Sequence, residues 1–302
     1  MACNISILLI LITLLIGATS AQNCIETLIV IAMTSDQKSA GSDADFFLDV
    51  TYKTGSFKHE TATFSLYNRP GNDMESNDGD TWYLKQAGVC IKPEDVVSLE
   101  IKPESGIFNI LFDGWNIETA QIFAKMTSGD IVLLSTADKV DKWIDHDEGK
   151  SQTLKLKTDN ADACSEAKCS CIERILIYAT TSGDFLSGTN GEISISLGYY
   201  GHNSTVKLYN RPGNDFERNK GDLWYYNIDQ FYSDICVTVN GIDEVRLSAD
   251  TTDGWILSDA YITADLKNSD KYALLAAGYP IESLADGNEG PGYVDVPLRN
   301  NC

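Results

Sequence analysis

The amino-acid sequence predicts an all-β protein made of two tandem β-sandwiches. The chain repeats itself once, and each repeat consists of short apolar runs separated by clusters of Gly, Asn, Asp and Pro. Residues 28–31 and 175–178 are continuous apolar runs that fit buried strands, whereas Phe46, Leu48 and Val50 alternate with their neighbours as in a strand with one buried face. No segment has a sustained apolar stripe of helical period. Regular short strands with such turn signals favour a sandwich or barrel.

The internal duplication is the most informative feature of the chain. Residues Leu66–Asp73 recur letter for letter as Leu208–Asp215, and the Cys-Ile-Glu of 24–26 recurs at 171–173. Each copy has an ordinary domain size and is far longer than a solenoid repeat, so each copy should own a core. The predicted boundaries are 1–21 for a signal peptide, 22–164 for the first sandwich (module one), 165–170 for a linker and 171–302 for the second (module two).

The first 21 residues are predicted to be a cleaved signal peptide. An apolar run from Ile5 to Ile16 is followed by small residues at 17–21, which is too short for a membrane span. The expected location is therefore extracellular. A net charge of −21 argues against nucleic-acid binding driven by phosphate attraction, and it opposes direct docking on anionic membranes unless a divalent cation intervenes.

Cysteine usage agrees with an oxidising compartment. After the signal peptide, the predicted disulfide-forming residues are Cys24, Cys90, Cys164, Cys169, Cys171, Cys236 and Cys302. A first-to-last pattern would join 24 to 164 and 171 to 302, and pairing of 24 with 90 and 171 with 236 is equally allowed. The odd number leaves one cysteine free or bonded to another chain. Asn203 begins a glycosylation sequon.

Each copy resembles a PLAT (lipoxygenase-homology, LH2) domain. The motifs that carry the resemblance are a Thr-Ser-Asp turn at 34–36 with Gly-Ser-Asp-Ala at 41–44, the matching segments 181–184 and 188–191, the acidic-aromatic elements 75–82 and 217–224, and the late Trp115 and Trp255. The resemblance implies an eight-stranded β-sandwich that aids binding to a membrane or a protein. Module two departs from the pattern because Asn190 stands where the family has an acid.

The acidic loops are candidate calcium sites, because calcium takes six to eight oxygen ligands from carboxylates, amides and backbone carbonyls. In a sandwich, loops distant in sequence meet at one end and can share an ion. The candidate ligands are Asp36, Gly41, Asp43, Asn72, Asp73, Glu75 and Asp80 in module one, and Asp184, Asn190, Asp215, Glu217 and Asp222 in module two. The competing interpretation is that these residues only build turns.

Two further groups of residues receive a prediction. Phe185 and Leu186 lie in an acidic loop of module two, where they could contact a bilayer or a partner pocket or fold back on their own sandwich. Large aromatics at matched positions are expected in the cores, and these are Trp82, Trp115, Trp224 and Trp255.

The sequence favours a binding protein over an enzyme, because it has neither a Gly-x-Ser-x-Gly elbow nor a His-Glu-x-x-His helix. The main hypothesis is a secreted protein that docks on a lipid surface or an extracellular protein with the help of calcium. An extracellular structural or mineral-associated matrix protein is one alternative. A secreted toxin or defence factor is another.

Overall fold

The computed structural model is all-β over the part of the chain that it describes. The described residues are 23–38, 40–42, 45–67, 74, 76, 78–103, 114–137, 140, 142–144, 154–156, 170–184, 188–189, 191–209, 216, 218, 220–250, 255–269, 271–281, 283–285 and 292–299. The predicted signal peptide 1–21 and most of the predicted linker 165–170 lie outside them, so the domain boundaries stay predictions. None of the described helices has the length and apolarity needed to cross a membrane.

Each module contributes nine strands among the described residues. Those of module one are β1 (Ile25–Thr34), β2 (Phe46–Lys53), β3 (His59–Leu66), β4 (Gly79–Lys85), β5 (Val96–Pro103), β6 (Trp115–Met126), β7 (Ile131–Ala137), β8 (Lys142–Ile144) and β9 (Leu154–Leu156). Those of module two are β10 (Ile172–Thr181), β11 (Glu192–Tyr199), β12 (His202–Leu208), β13 (Gly221–Asn227), β14 (Ile242–Asp250), β15 (Trp255–Leu266), β16 (Tyr272–Gly278), β17 (Ser283–Ala285) and β18 (Tyr293–Asp295). The described helices are single 3₁₀ turns at Pro93–Asp95, Ile228–Gln230 and Val239–Gly241.

Every module is a sandwich of an outer and an inner sheet. The outer sheets have the strand orders β3-β2-β5-β9 and β12-β11-β14-β18. The inner sheets have the orders β4-β1-β6-β7 and β13-β10-β15-β16, with β8 and β17 added beside β6 and β15. A single bridge between β4 and β13 links them into one ten-stranded sheet. Alternation in β2 sends Phe46, Leu48 and Val50 into the core, as the sequence predicts. Each module therefore has its own apolar core.

The four repeated tryptophans lie in these cores, which confirms the prediction for them. Each also fixes a neighbouring backbone or hydroxyl group through its indole N–H. Trp115 donates to Thr34 Oγ1 at 2.8 Å, and Trp255 donates to Thr181 Oγ1 at 2.9 Å. Because these bonds tie the start of β6 and β15 to the end of β1 and β10, they position the loops that follow.

The structure selects one of the two disulfide patterns that the sequence allows. Cys24 is bonded to Cys90 with a Cα–Cα distance of 5.1 Å, and Cys171 is bonded to Cys236 at 5.0 Å. The first-to-last pattern is wrong for 24 and 171, because the chain before each inner strand runs beside the loop that leaves β4 or β13. Ile25 N donates to Ile91 O at 2.8 Å in that pairing. Cys164, Cys169 and Cys302 lie outside the described residues, and their pairing stays a prediction.

The inner sheets are buried on both faces, because the two modules pack against each other. On β1, Leu28, Val30 and Ala32 point into the core of module one, whereas Ile29 and Ile31 point away from it. The second face packs on the inner sheet of module two through Leu176, Tyr178, Leu223 and Tyr261. The layers therefore run outer, inner, inner, outer, and a third apolar cluster joins the modules.

This module interface has approximate twofold symmetry, because equivalent residues of the two modules make equivalent contacts across it. Gly79 and Gly221 occupy equivalent positions, and they pair with each other where β4 meets β13. Tyr83 Oη donates to Asp259 of module two, and the equivalent Tyr225 bonds the equivalent Thr119 of module one. We call the meeting point of Gly79 and Gly221 the glycine corner.

The glycines of this corner are required by the close approach of strands β4 and β13. A Cβ on Gly79 would lie 2.5 Å from Gly221 O, and one on Gly221 would lie 1.9 Å from Tyr178 Oη. Tyr178 Oη in turn shares a hydrogen bond of 2.7 Å with Thr81 Oγ1. Burial raises the pKa of Tyr178, Tyr83 and Tyr261 above the ordinary tyrosine value, so these hydroxyls stay neutral in the interface.

Candidate functional site

In module one the candidate site is the end of the sandwich where β1 ends and β4 and β6 begin, which we call loop end one. The equivalent end of module two, where β10 ends and β13 and β15 begin, is loop end two. In loop end one, backbone hydrogen bonds bring together three segments that are distant in sequence. Ser42 N donates to Met74 O at 3.1 Å, and Ser35 N donates to Asn116 O at 2.9 Å. Ser42 and Met74, one residue from each acidic loop of module one, therefore lie side by side.

The carboxylate of Asp80 holds the second of these loops in place. Its Oδ2 accepts a hydrogen bond of 2.6 Å from Met74 N. Met74 has a left-handed backbone, with φ of 63°, and its side chain is buried in the core. Because a non-glycine residue adopts this conformation only when its surroundings enforce it, the buried side chain and the Asp80 bond act together as a loop anchor.

Module two repeats this anchor with an aromatic residue. Phe216 has φ of 65°, and its N–H donates to Asp222 Oδ2 at 2.9 Å. The Phe216 ring stacks on Trp224 with centroids 5.2 Å apart and meets Trp255 edge-on at 5.3 Å. Sequence reasoning missed both anchors, although a large apolar residue between two acids in each copy was a usable signal.

The predicted calcium ligands divide into described and undescribed residues. Asp43, Asn72, Asp73, Glu75, Asn190, Asp215 and Glu217 lie outside the described residues. Of the others, Asp36 and Asp184 are exposed, and Asp184 Oδ2 accepts a hydrogen bond of 3.1 Å from Ser182 Oγ. Asp80 and Asp222 each use one oxygen on the anchors, and Gly41 is half-buried. Within the described part of the chain, no three His, Cys, Asp or Glu side chains are grouped as metal ligands, so the calcium site stays a prediction.

Loop end one contains a buried amide that suits a cation site. Asn116 is 0% exposed, and neither polar atom of its side chain has a hydrogen-bond partner in the described structure. Its backbone is bonded to Ser35 and to Ala40, whose carbonyl accepts from Asn116 N at 2.9 Å. An uncompensated buried amide costs about 1–3 kcal/mol. An amide oxygen is one of the ligand types that calcium takes.

An exposed tyrosine stands beside the acidic loop of each module. Tyr67 follows β3 and is 67% exposed, and the equivalent Tyr209 follows β12 and is 71% exposed. Their backbones are fixed, because Trp82 Nε1 donates to Tyr67 O at 3.0 Å and Trp224 Nε1 donates to Tyr209 O at 3.1 Å. Rigid strand ends thus present two matched aromatic rings to solvent, which sequence reasoning did not anticipate.

The remaining predicted contacts are placed as follows. Phe185 and Leu186 lie outside the described residues, so their role as contact residues stays a prediction. Asn203 is exposed on the edge strand β12, where its Nδ2 donates to Glu244 Oε1 at 3.2 Å. An exposed edge position is accessible to modification, and glycosylation of Asn203 stays a prediction.

Comparison with known proteins gives distant similarities. The chain is 27% identical over 120 residues to a phospholipase C of Clostridium novyi, which is 40% of this chain and 27% of that relative. Among solved structures it is similar to an alpha toxin of Clostridium absonum, at 24% identity and a TM-score of 0.36 over 46% of this chain and 33% of that one. It is also similar to a Clostridium perfringens alpha-toxin from an avian strain, at 21% identity and the same TM-score of 0.36, coverage 46% and 33%. No family model matches the sequence.

Proposed function

We propose that the protein is a secreted, non-catalytic binding protein that docks on a lipid surface through its loop ends, with calcium assisting. The observation that carries this proposal is the matched pair of exposed tyrosines, Tyr67 and Tyr209. Tyrosine has an apolar ring and a polar tip, which suits the boundary between lipid headgroups and acyl chains. The rigid backbones behind the two rings lower the entropy lost on binding.

The acidity of the chain explains why a cation would be needed. A net charge of −21 repels anionic lipid headgroups at long range. Calcium held by Asp36, Asp43 and Asn116 of loop end one would offset this charge locally and offer open coordination positions to phosphate oxygens. The two disulfides among the described residues are consistent with the extracellular fluid, where calcium is plentiful.

A lipid surface is favoured over a protein partner because of the similarity to a phospholipase C, an enzyme of lipid substrates by its name. The shared stretch is 27% of that enzyme, so the catalytic activity of the relative is not carried over. On this account the chain binds lipid without cleaving it. Incubation with phosphatidylcholine vesicles should release no diacylglycerol, and its accumulation above a no-protein control would contradict the non-catalytic part of the proposal.

Sedimentation with vesicles of phosphatidylcholine and phosphatidylserine tests the docking itself. Binding should appear with calcium and disappear with a chelator, and the double variant Tyr67→Ser, Tyr209→Ser should bind at least about tenfold more weakly. Phe57→Ser is the matched control, because Phe57 is 100% exposed in the β2–β3 turn at the opposite end of module one. Loss of binding in Phe57→Ser, with the double variant unaffected, would show that the protein docks through the opposite end of module one and would contradict the proposal.

A further inference from the structure

The strands of the two inner sheets cross at a steep angle in the module interface. Along β4, Gly79 pairs with β13, and Thr81, two residues further on, bonds Tyr178 of β10. Tyr83, two residues beyond that, bonds Asp259 of β15 and stacks on Tyr279, which follows β16, with ring centroids 4.2 Å apart. Every second residue along β4 thus contacts a different strand of the inner sheet of module two. β4 therefore runs across the strands of that sheet and not parallel to one of them.

The two loop ends consequently border the same corner of the molecule. β4 and β13 both begin at the glycine corner and lead away from it in different directions, so the residues that precede them lie on either side of it. Asp78 and Lys220, the residues before the two glycines, form an ion pair across the corner. Were the strands of the two modules aligned and antiparallel, the loop ends would instead point away from each other.

Backbone hydrogen bonds connect each loop end to the residues of this ion pair. Thr34 N donates to Asp78 O at 2.9 Å, and Thr181 N donates to Lys220 O at 2.9 Å. In module one, Ser76 Oγ adds a bond of 3.1 Å to Ser35 O, which joins the second loop to the first. The relative placement of the two loop ends is therefore fixed through the module interface and does not depend on the linker.

We infer that loop ends one and two form one composite docking face and contact the same bilayer together. This inference rests on the proposed function and adds the geometry of binding to it. Tyr67 and Tyr209 sit at the rims of the two loop ends, on the outer sheets, so they would enter the lipid on opposite sides of the Asp78–Lys220 pair. Joined binding elements of fixed geometry bind far more tightly than either does alone.

Single and double variants distinguish joint from independent binding. If both loop ends engage one bilayer, Tyr67→Ser and Tyr209→Ser should each weaken partition to calcium-loaded phosphatidylserine vesicles by about tenfold or more, and the double variant by on the order of 100-fold. If either loop end binds independently, each single variant should lose only about twofold. A variant that loses all binding while its counterpart loses none would also overturn the inference, because one module would then dock alone.

Light scattering of the vesicles supplies a second readout that does not depend on mutation. A single docking face predicts binding without vesicle clustering. A rise in scattering that needs both tyrosines would mean that the loop ends face different vesicles, which would overturn the inference while leaving the proposed function intact. Absence of binding by the unmodified protein would reject the proposed function itself.

Discussion

The two loop ends are built on one plan and differ at a position that matters for charge. Both use a left-handed apolar anchor, Met74 or Phe216, held by an aspartate, and both are backed by buried tryptophans. At the start of β6, however, module one has the buried Asn116, whose side chain has no hydrogen-bond partner among the described residues, where module two has the half-buried Ile256. The shared anchor therefore serves the fold. The amide of Asn116 is not needed for the fold, because module two forms the equivalent loop end with Ile256 at that position.

The same contrast runs through the module interface. Equivalent positions carry opposite charges in Asp78 and Lys220, and Asp259 stands where module one has Thr119. Two identical modules meeting in this way would bring like charges together at the corner. The interface surface of module one is therefore complementary to that of module two, but neither surface is complementary to a second copy of itself.

The largest effect is expected from filling the glycine corner. Gly221→Ala should lower the free energy of unfolding by about 3 kcal/mol, because the new methyl group would meet Tyr178 Oη and the backbone of Gly79. Gly55→Ala is the control, since nothing lies within 4 Å of a Cβ at that position. Chemical denaturation measures both, and equal stability of the two variants would show that the corner is not tightly packed.

Reversing one charge of the corner should have the next largest effect. Lys220→Asp places two carboxylates side by side in a half-buried site and should cost about 2 kcal/mol of stability. The double exchange Asp78→Lys, Lys220→Asp should recover most of this loss in a thermodynamic cycle. A double variant as unstable as the sum of the single ones would argue against a direct interaction between the two side chains.

High pH should weaken the interface through its tyrosines. Burial holds the pKa of Tyr83, Tyr178 and Tyr261 above that of the unfolded chain, so stability present below pH ~10 is lost as the pH rises from there toward the folded pKa. Each such tyrosine contributes a loss of about 1.4 kcal/mol per pH unit. Tyr178→Phe should reduce the measured slope by that amount. An unchanged slope in Tyr178→Phe would contradict this origin.

The smallest effect is expected from exchanging the residue in which the loop ends differ. Asn116→Ile introduces the residue of module two and should raise stability without calcium by about 1 kcal/mol, because an unpaired buried amide is removed. Calcium affinity measured by titration calorimetry should fall in the same variant. Ile256→Asn is the reciprocal control. A gain in stability with unchanged calcium affinity in Asn116→Ile would show that the Asn116 amide is not a calcium ligand.

The sequence was most informative where a single module decides the outcome. Alternation in β2 predicts its buried face, and the matched tryptophans predict the cores, because burial within a sandwich imposes a period of two. Residues 28–31 signal a strand buried on both sides, but the run does not say what covers the second face, since that cover comes from the other module. The matching glycines 79 and 221 were visible in the repeat, yet only their approach in space explains them.

Other features could not be predicted from one sequence, because they depend on how distant segments meet in the fold. Spacing alone does not choose among cysteine partners, because loop closure allows several pairings, and the fold decides for Cys24–Cys90. The exposure of Tyr67 and Tyr209 depends on where the strands end, since the same residue type is buried at Tyr178. Asn116 gives no sign in the sequence that its amide lacks a partner.

Depth-dependent quenching by brominated lipids tests the central claim, docking by the loop ends, most directly. The four core tryptophans are shielded and the fifth, Trp143, is half-buried. The signal that a new tryptophan in Tyr67→Trp or Tyr209→Trp adds to this native background therefore reports its own position. With calcium-loaded vesicles, both variants should be quenched more strongly than the native protein, whereas Phe57→Trp at the opposite end should not. Quenching of the Phe57→Trp signal without quenching at either loop end would contradict the account.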